Sequence, residues 1–229
     1  MPRRDFDVSR YLSVLPMFRD LGAPELARLA AASVVRRLRR GDIVFRAGQP
    51  CAGLHVTVTG QIKVFALSVS GQEKVIALAG HGVSFAEASV FTDEPYGVGA
   101  EALADTLLLT IDKQAVLAEV ARHPGFALRM LAGVSRCIDT LINDVQAYAL
   151  HSGLQRVIGY LLHHVGGAQP AAVTIRLPAS KATIASRLSV SPEYFSRKLH
   201  ELESAGLIRI DRRAIRIHDS KRLQAYEAA

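Results

Sequence analysis

The stretch that most constrains the fold is residues 180–206, SKATIASRLSVSPEYFSRKLHELESAG, because it holds two helix starts with very little chain between them. Ser180 is a capping residue ahead of Ile184, Ala185 and Leu188, which recur at helical spacing. Ser191 is a second cap, and Pro192 follows it at the first helical position, where a missing N–H costs nothing. Gly206 marks the end of that second helix. Ser189, Val190 and Ser191 leave room only for a tight turn, so the segment is predicted to be a helix-turn-helix. On the second helix Phe195, Leu199 and Leu202 share one face, and Glu193, Ser196, Arg197 and His200 share the other.

That second face has the chemistry that base edges demand. Arg197 can donate a bidentate pair to guanine O6 and N7, Glu193 can accept from a cytosine amino group, and Ser196 suits either base type, each good pair discriminating by about 1–3 kcal/mol. Ser180, Lys181 and Ser191 stand at helix starts, placed to hold phosphates and fix register without reading sequence. A surface ion pair between Glu193 and Arg197 is the competing account of those two charges, but it does not explain the turn. Beyond Gly206, LIRIDRRAIRI at 207–217 reads as two strands around Asp211, Arg212 and Arg213. The hairpin would be a wing, its tip arginines reaching phosphates or simply solvated.

Charge is distributed to match. The formal net charge is +7, and residues 151–229 hold 12 Lys and Arg against 6 Asp and Glu, whereas residues 1–150 hold 16 against 15. A basic last third suits a polyanion, although a solvated basic surface gives the same count.

The first half has another period. Residues 40–64 alternate β-branched or apolar residues with polar ones and are cut by Gly41, Gly48, Gly53 and Gly60. With further strands at 74–78 and 106–111 and a hairpin turn at Ser70 and Gly71, the region from about 40 to 112 reads as a β-roll. A short helix begins near Pro24 and packs on it. From Pro124 the pattern changes: Ala127, Leu131, Val134, Ile138, Leu141, Val145 and Tyr148 recur alternately four and three apart, a heptad seam. The seam either pairs with the same helix of a second copy, making Leu131, Val134, Ile138, Leu141 and Val145 a homodimer interface, or lies against its own β-roll. Ser152 caps the next helix, which Gly166 and Gly167 are expected to end, and a short strand at 173–177 closes at Pro178. The expected fold class is α+β: an N-terminal β-roll or jelly-roll domain at 1–123, a long dimerisation helix at 124–149, and a C-terminal winged helix-turn-helix at 150–229.

Several function classes are disfavoured. No run of apolar residues is long enough to span a bilayer, and MPRRDFDVSRYL is not followed by the apolar core of a signal peptide, so a cytoplasmic location is expected. Cys51 and Cys137 lack the clustered spacing of a zinc or iron–sulfur site, although Cys51 leaves a redox switch open. G-x-S-x-G, P-loop and H-E-x-x-H motifs are all missing, and a non-enzyme is expected.

With these residues in place the chain resembles the Crp/Fnr family of transcriptional regulators over nearly its whole length. The signature is Gly41-Asp42, Val44-Phe45, Gly48, Leu54, Val56, Gly60, Lys63-Val64 and Phe85-Ala86-Glu87, with the E-x-x-S-R arrangement of Glu193, Ser196 and Arg197 similar to the Fnr-like branch. The resemblance implies a cyclic-nucleotide-binding-like sensor domain, a homodimer on an inverted repeat of a TTGAT-type half-site, and RNA polymerase as a partner. It also places the effector pocket at Phe85, Glu87, Gly97 and Val98. Members that bind cyclic nucleotides carry Arg and then Ser or Thr where this chain has Gly97 and Val98, so no arginine stands there to clamp a cyclic phosphate. Gly71-Gln72-Glu73-Lys74, Ser84-Phe85-Ala86-Glu87-Ala88 and Phe91-x-Asp93-x-Pro95 look like the Dnr branch, nitric-oxide-responsive regulators of denitrification. That likeness implies haem b in the sensor, with His55 and His81 as candidate ligands; His123 is the only other histidine of that half, and Ser13 to Phe18 offer none.

Overall fold

The computed structural model describes residues 6–165 and 172–226, and the expected stop at Gly166 and Gly167 lies outside them. By packing the chain divides into two units, residues 1–72 with 76–140, and residues 73–75 with 141–229.

The first unit opens with α1 (Val8–Val14) and α2 (Ala23–Ala31) and continues through β1 (Ser33–Leu38), β2 (Ile43–Phe45), β3 (Gly53–Thr59), β4 (Ile62–Leu67), β5 (Glu73–Ala79) and β6 (Ser84–Phe85). After α3 (Glu87–Thr92) come β7 (Gly99–Ala102), β8 (Thr106–Asp112), α4 (Lys113–Arg122) and the long α5 (Pro124–Leu150); residues 73–75 of β5 and 141–150 of α5 are counted with the second unit. Two four-stranded sheets result, ordered β1-β8-β3-β6 and β2-β7-β4-β5. Their facing sides meet in one core of Leu38, Phe45, Ile62, Val64, Ala79, Phe85, Tyr96, Ala100, Ala102 and Leu108. This is the β-roll that the alternating pattern implies.

A second core lies on the outside of the first sheet, where Leu54, Val56 and Val58 of β3 and Leu109 and Ile111 of β8 pack against Leu12, Leu29, Val116, Phe126 and Met130 of the helices and Phe18 of the turn between α1 and α2. Strand β3 is therefore buried on both sides along Gly53–Val58. Gly53 is needed where it enters the sheet, since a Cβ there would stand 1.9 Å from the Ile111 carbonyl oxygen. Helices α2 and α4 are tied by a carboxylate that is 1% exposed: Glu119 takes Arg28 Nε at 2.6 Å and Nη2 at 3.0 Å, with Arg122 at 3.3 Å and His123 at 3.3 Å.

The second unit holds α6 (Gly153–His163), β9 (Val173–Arg176), α7 (Lys181–Arg187), α8 (Pro192–Ser204), β10 (Ile208–Asp211), β11 (Ala214–Ile217) and α9 (Ser220–Gln224). The Ser152 cap is a full capping box with Gln155. The wing is a three-stranded sheet, β10-β11-β9, rather than a bare hairpin, because β9 pairs with β11 from Ala214↔Arg176 to Ile217↔Val173. Among the described residues no helix is long and apolar enough to cross a membrane.

Replacing Glu119 by Leu takes the carboxylate from Arg122 and leaves Arg28 and His123 with Glu25 alone. Because both arginines keep partial access to water, with 44% and 57% of their side chains exposed, the expected loss is about 2 kcal/mol, less than for a fully enclosed pair. The Arg28 guanidinium holds the Glu119 carboxyl below its ordinary 4.5. A depressed carboxylate stabilises the fold fully above that ordinary value and loses its contribution as pH falls through the lower folded-state value. Urea unfolding at pH 7 and at acid pH checks both points: the variant loses midpoint at pH 7, and its gap to the parent narrows in acid.

Candidate nucleic-acid interface

The turn between α7 and α8 is built from backbone and serine together. Ser180 Oγ accepts the Thr183 N–H at 3.1 Å to start α7, and Ser191 Oγ accepts the Tyr194 N–H at 3.1 Å to start α8. Between them Ser189 adopts a left-handed φ of 53°, and the Val190 N–H reaches back to the Ala185 carbonyl at 3.0 Å. Gly206, with φ of 68°, ends the element beyond α8. Phe195, Leu199 and Leu202 are fully buried. The opposite side presents Glu193, Arg197 and His200 to solvent, with Ser196 half-buried beside them. The two faces fall as the spacing predicts.

Glu193 and Arg197 form no ion pair with each other, so both charges stay available. Arg197 instead lies over the Tyr194 ring, 5.3 Å from its centroid. Tyr194 is a residue that spacing arguments passed over; the signal was an aromatic three positions before an arginine on one helix. His200 is engaged differently, with Nδ1 3.5 Å from Glu203 Oε2, while Glu203 Oε1 accepts the Ile210 N–H at 2.7 Å and fastens α8 to β10. Lys181 is half-buried at the start of α7, and Arg212 and Arg213 are exposed at the wing tip, Arg212 with φ of 53°.

In the first unit Phe85 and Glu87 flank the β6–α3 junction, and Gly97 and Val98 lie just before β7. Ala86 takes a left-handed φ of 67°, which separates Phe85, turned into the roll core, from Glu87 in the first turn of α3. Gly97 is exposed and Val98 packs against the roll core, so neither supplies a charge or hydroxyl. The residue before them, Tyr96, was not singled out from sequence, and it is buried in the roll core. Its ring stacks on Phe45 at 3.7 Å, and its hydroxyl lies 2.8 Å from His55 Nε2 and accepts the Ala52 N–H at 2.9 Å.

This geometry corrects the expectation for His55 as an iron ligand. Its ring is 2% exposed and sits between Phe45 at 5.1 Å and Phe85 at 5.2 Å. Nε2 is taken by Tyr96 and Nδ1 by Thr110 Oγ1 at 2.9 Å. Burial, reinforced by the Arg36 charge, pushes its pKa down to about 4, so the imidazole is neutral at pH 7. No nitrogen remains for a metal. His81 does fit: it is exposed, and Nδ1 is tied to the Val58 carbonyl, a bond that does not involve Nε2. A backbone carbonyl on the second nitrogen is how ligating histidines are commonly oriented.

Residues 35–123 match the family model of a cyclic nucleotide-binding domain, and residues 155–226 match that of a Crp-like helix-turn-helix domain. The chain is 27% identical over 210 residues to the cyclic AMP receptor protein of Thermus thermophilus, covering 91% of this chain and 95% of that protein. It is similar to the crystal structure of DNR from Pseudomonas aeruginosa, with 31% identity, 97% and 100% coverage and a TM-score of 0.52. The structure of FixK2 from Bradyrhizobium japonicum, at 19% identity, shares the fold with a TM-score of 0.76 over 86% of this chain and 98% of that one.

Tyr96→Phe removes the hydroxyl on which both His55 and the Ala52 N–H depend. The expected cost is about 1–3 kcal/mol, the penalty for stranding buried polar groups, read as a lower urea midpoint.

Proposed function

The chain belongs to the Crp/Fnr family of DNA-binding transcription regulators, and from that premise we propose that it reads an inverted repeat of a TTGAT-like half-site as a homodimer and responds to nitric oxide through haem. The observation that carries the DNA reading is the free face of α8, where Glu193 and Arg197 are exposed without pairing to each other. Arg197 reads guanine, Glu193 reads cytosine, and Ser196 completes the set, while Lys181 and the tip residues Arg212 and Arg213 hold phosphates. Ser180 and Ser191 contribute by fixing the two helix starts, since their hydroxyls are spent as caps.

The homodimer reading rests on α5. Leu131, Ile138, Leu141 and Val145 are 62%, 52%, 42% and 64% exposed on one heptad stripe, with Val134 half-buried among them. A stripe of that size left in water favours a second copy of the same helix. Two recognition helices related by a two-fold axis then require a palindromic site. RNA polymerase is the protein partner that this reading implies.

The effector reading rests on the exposed His81, whose Nε2, not used in the bond to Val58, would hold the iron. Bound haem would supply an iron centre able to take nitric oxide. Cyclic nucleotide is the second reading, favoured by the domain match and by the Thermus relative. Against it stand Gly97 and Val98, which leave the phosphate without a guanidinium or hydroxyl.

Arg197→Ala is expected to flatten base preference, costing about 1–3 kcal/mol on the palindrome and little on random duplex. Lys181→Ala should weaken all duplexes alike and lower the salt slope by about 1. Electrophoretic titration of both variants on palindromic and scrambled duplex separates the two roles, and an equal loss for Arg197→Ala on both sequences overturns its assignment. For the sensor, protein reconstituted with haem should show a Soret band that shifts with nitric oxide and is lost in His81→Ala. Unchanged absorption in that variant removes His81 as the ligand, and binding of a fluorescent cyclic nucleotide without haem uptake supports the second reading.

A further inference from the structure

Residues 73–75, counted with the second unit, lie against the last turn of α7. The Ser186 hydroxyl donates to the Glu73 carbonyl at 3.0 Å and accepts the Val75 N–H at 2.9 Å. That brings Lys74 to the end of the helix. Its Nζ donates to the Ser186 carbonyl at 2.9 Å, the Arg187 carbonyl at 2.8 Å, the Ser189 hydroxyl at 2.7 Å and the Tyr148 hydroxyl at 2.9 Å. The last carbonyls of a helix lack partners within it and carry its negative end, so an ammonium suits them. Ser189 is the residue of the tight turn with φ of 53°, and Tyr148 belongs to the end of α5. One cation thus joins α7, the turn ahead of α8, and α5.

The groups around Lys74 complete the tie. The Tyr148 hydroxyl donates to the Arg187 carbonyl at 2.7 Å and accepts from Arg187 Nη1 at 3.1 Å, and Arg187 Nη2 reaches Asp144 at 2.7 Å. Arg156 Nη2 donates to the Ser189 carbonyl at 3.3 Å. Burial, reinforced by the Arg187 charge, pushes the Lys74 ammonium down from 10.5 to about 8, with Asp144 acting against the fall and Arg156 adding to it. A lysine held below its ordinary value destabilises the fold while it is charged; at pH 7, below both values, that cost is present in full. Nor do the carbonyls depend on it: the Ser189 N–H also reaches the Ser186 carbonyl at 3.2 Å, and Tyr148 holds the Arg187 carbonyl. Stability does not account for the charge; position does.

We propose that Lys74 is a positioning residue for DNA reading: its ammonium fixes the turn ahead of α8 on the end of α5, and so sets the separation of the two reading helices in a homodimer. The proposal rests on the DNA and homodimer readings above. Its chain of contacts is short. Leu141 and Val145 of the heptad stripe lie on the same end of α5 as Asp144 and Tyr148, so a helix that pairs through the stripe carries the tie with it. Ser191 caps α8 two residues beyond Ser189. A two-fold pair must place its readers one helical turn of duplex apart, and a change of angle at this turn shifts α8 directly. Arg197 reads a base at any spacing; Lys74 decides whether both subunits read at once.

Full-length Lys74→Met is compared with the parent on palindromes whose half-sites are separated by spacers varied in single base-pair steps. The parent is expected to favour one spacing by about ten-fold, because a misplaced half-site forfeits its contacts. Lys74→Met should bring that preference down to about two-fold while keeping the salt slope and the preference for the guanine read by Arg197. Its urea midpoint should stay level or rise, since an apolar chain of similar length in place of a buried cation is neutral or stabilising. Tyr148→Phe, which keeps the cation and removes one hydroxyl of the tie, should fall between the two. Hydrogen exchange tests the tie without DNA: the Val190 amide, bonded to the Ala185 carbonyl at 3.0 Å, should exchange about ten-fold faster in Lys74→Met. Unchanged spacing preference in Lys74→Met, or unchanged exchange at the turn, overturns the proposal. So does a lower urea midpoint with equal loss on every duplex, which makes Lys74 part of the fold alone. A parent that binds scrambled duplex as well as the palindrome defeats the half-site reading instead, and one indifferent to spacing defeats the homodimer reading; exchange at Val190 then decides whether Lys74 holds the turn.

Discussion

A helix-turn-helix depends on reversing the chain within a few residues without stranding a backbone polar group, and the second unit is organised around that constraint. Ser189 accepts a left-handed φ at a cost of about 1 kcal/mol. In return the Val190 N–H finds the Ala185 carbonyl, and Ser191 is delivered as the cap of α8. Once α8 is fixed in rotation, Phe195, Leu199 and Leu202 must point inward, and Glu193 and Arg197 must point out. Glu203 then uses one oxygen to hold the Ile210 N–H, which sets where the wing leaves the helix. A single turn thus determines both the reading face and the position of the tip arginines.

The first unit obeys a different constraint, that a strand buried on both sides must satisfy every polar group it brings along. Strand β3 turns Leu54, Val56 and Val58 to the helical core and His55 and Thr57 to the roll. His55 meets the condition through Tyr96 and Thr110. Thr57 Oγ1 does not, having no hydrogen-bond partner. The aromatic ring of Tyr96 occupies the region beside the pocket segment, where a charged ligand would require polar walls.

Much of this was legible in the sequence where a single residue type has one physical job. Serine before a helical period, proline at the first helical position and glycine after the last buried leucine fixed the helix-turn-helix to within a residue. The heptad stripe of α5 was legible for the same reason, and the exposure of Leu131, Ile138, Leu141 and Val145 agrees with it. Short strands were harder: β7 is four residues of Gly99–Ala102 with small side chains and no alternation to read, and β1, Ser33–Leu38, places Arg36 and Arg37 where a strand pattern would ask for apolar residues. The His55 environment was invisible, because Phe45, Phe85, Tyr96 and Thr110 come together only through strand pairing. The Dnr likeness offered His55 as a candidate ligand, and tertiary hydrogen bonds occupy both of its ring nitrogens.

The arginines of the second unit divide into two kinds, and the division follows the two demands of DNA recognition. A base reader must present its fork in one orientation, and Arg197, proposed for that role, lies over the Tyr194 ring, which reduces the side-chain entropy it would lose on meeting a base. A phosphate holder needs only charge and reach, because the backbone of the duplex is nearly uniform. Arg212 and Arg213 have no internal partner to surrender among the described residues, so neutralising a phosphate costs them no existing ion pair. Arg187, paired with Asp144 at 2.7 Å, would have to give one up. The pairing state of each guanidinium therefore separates the arginines that hold the fold from those available to a polyanion, a distinction that net charge alone does not make.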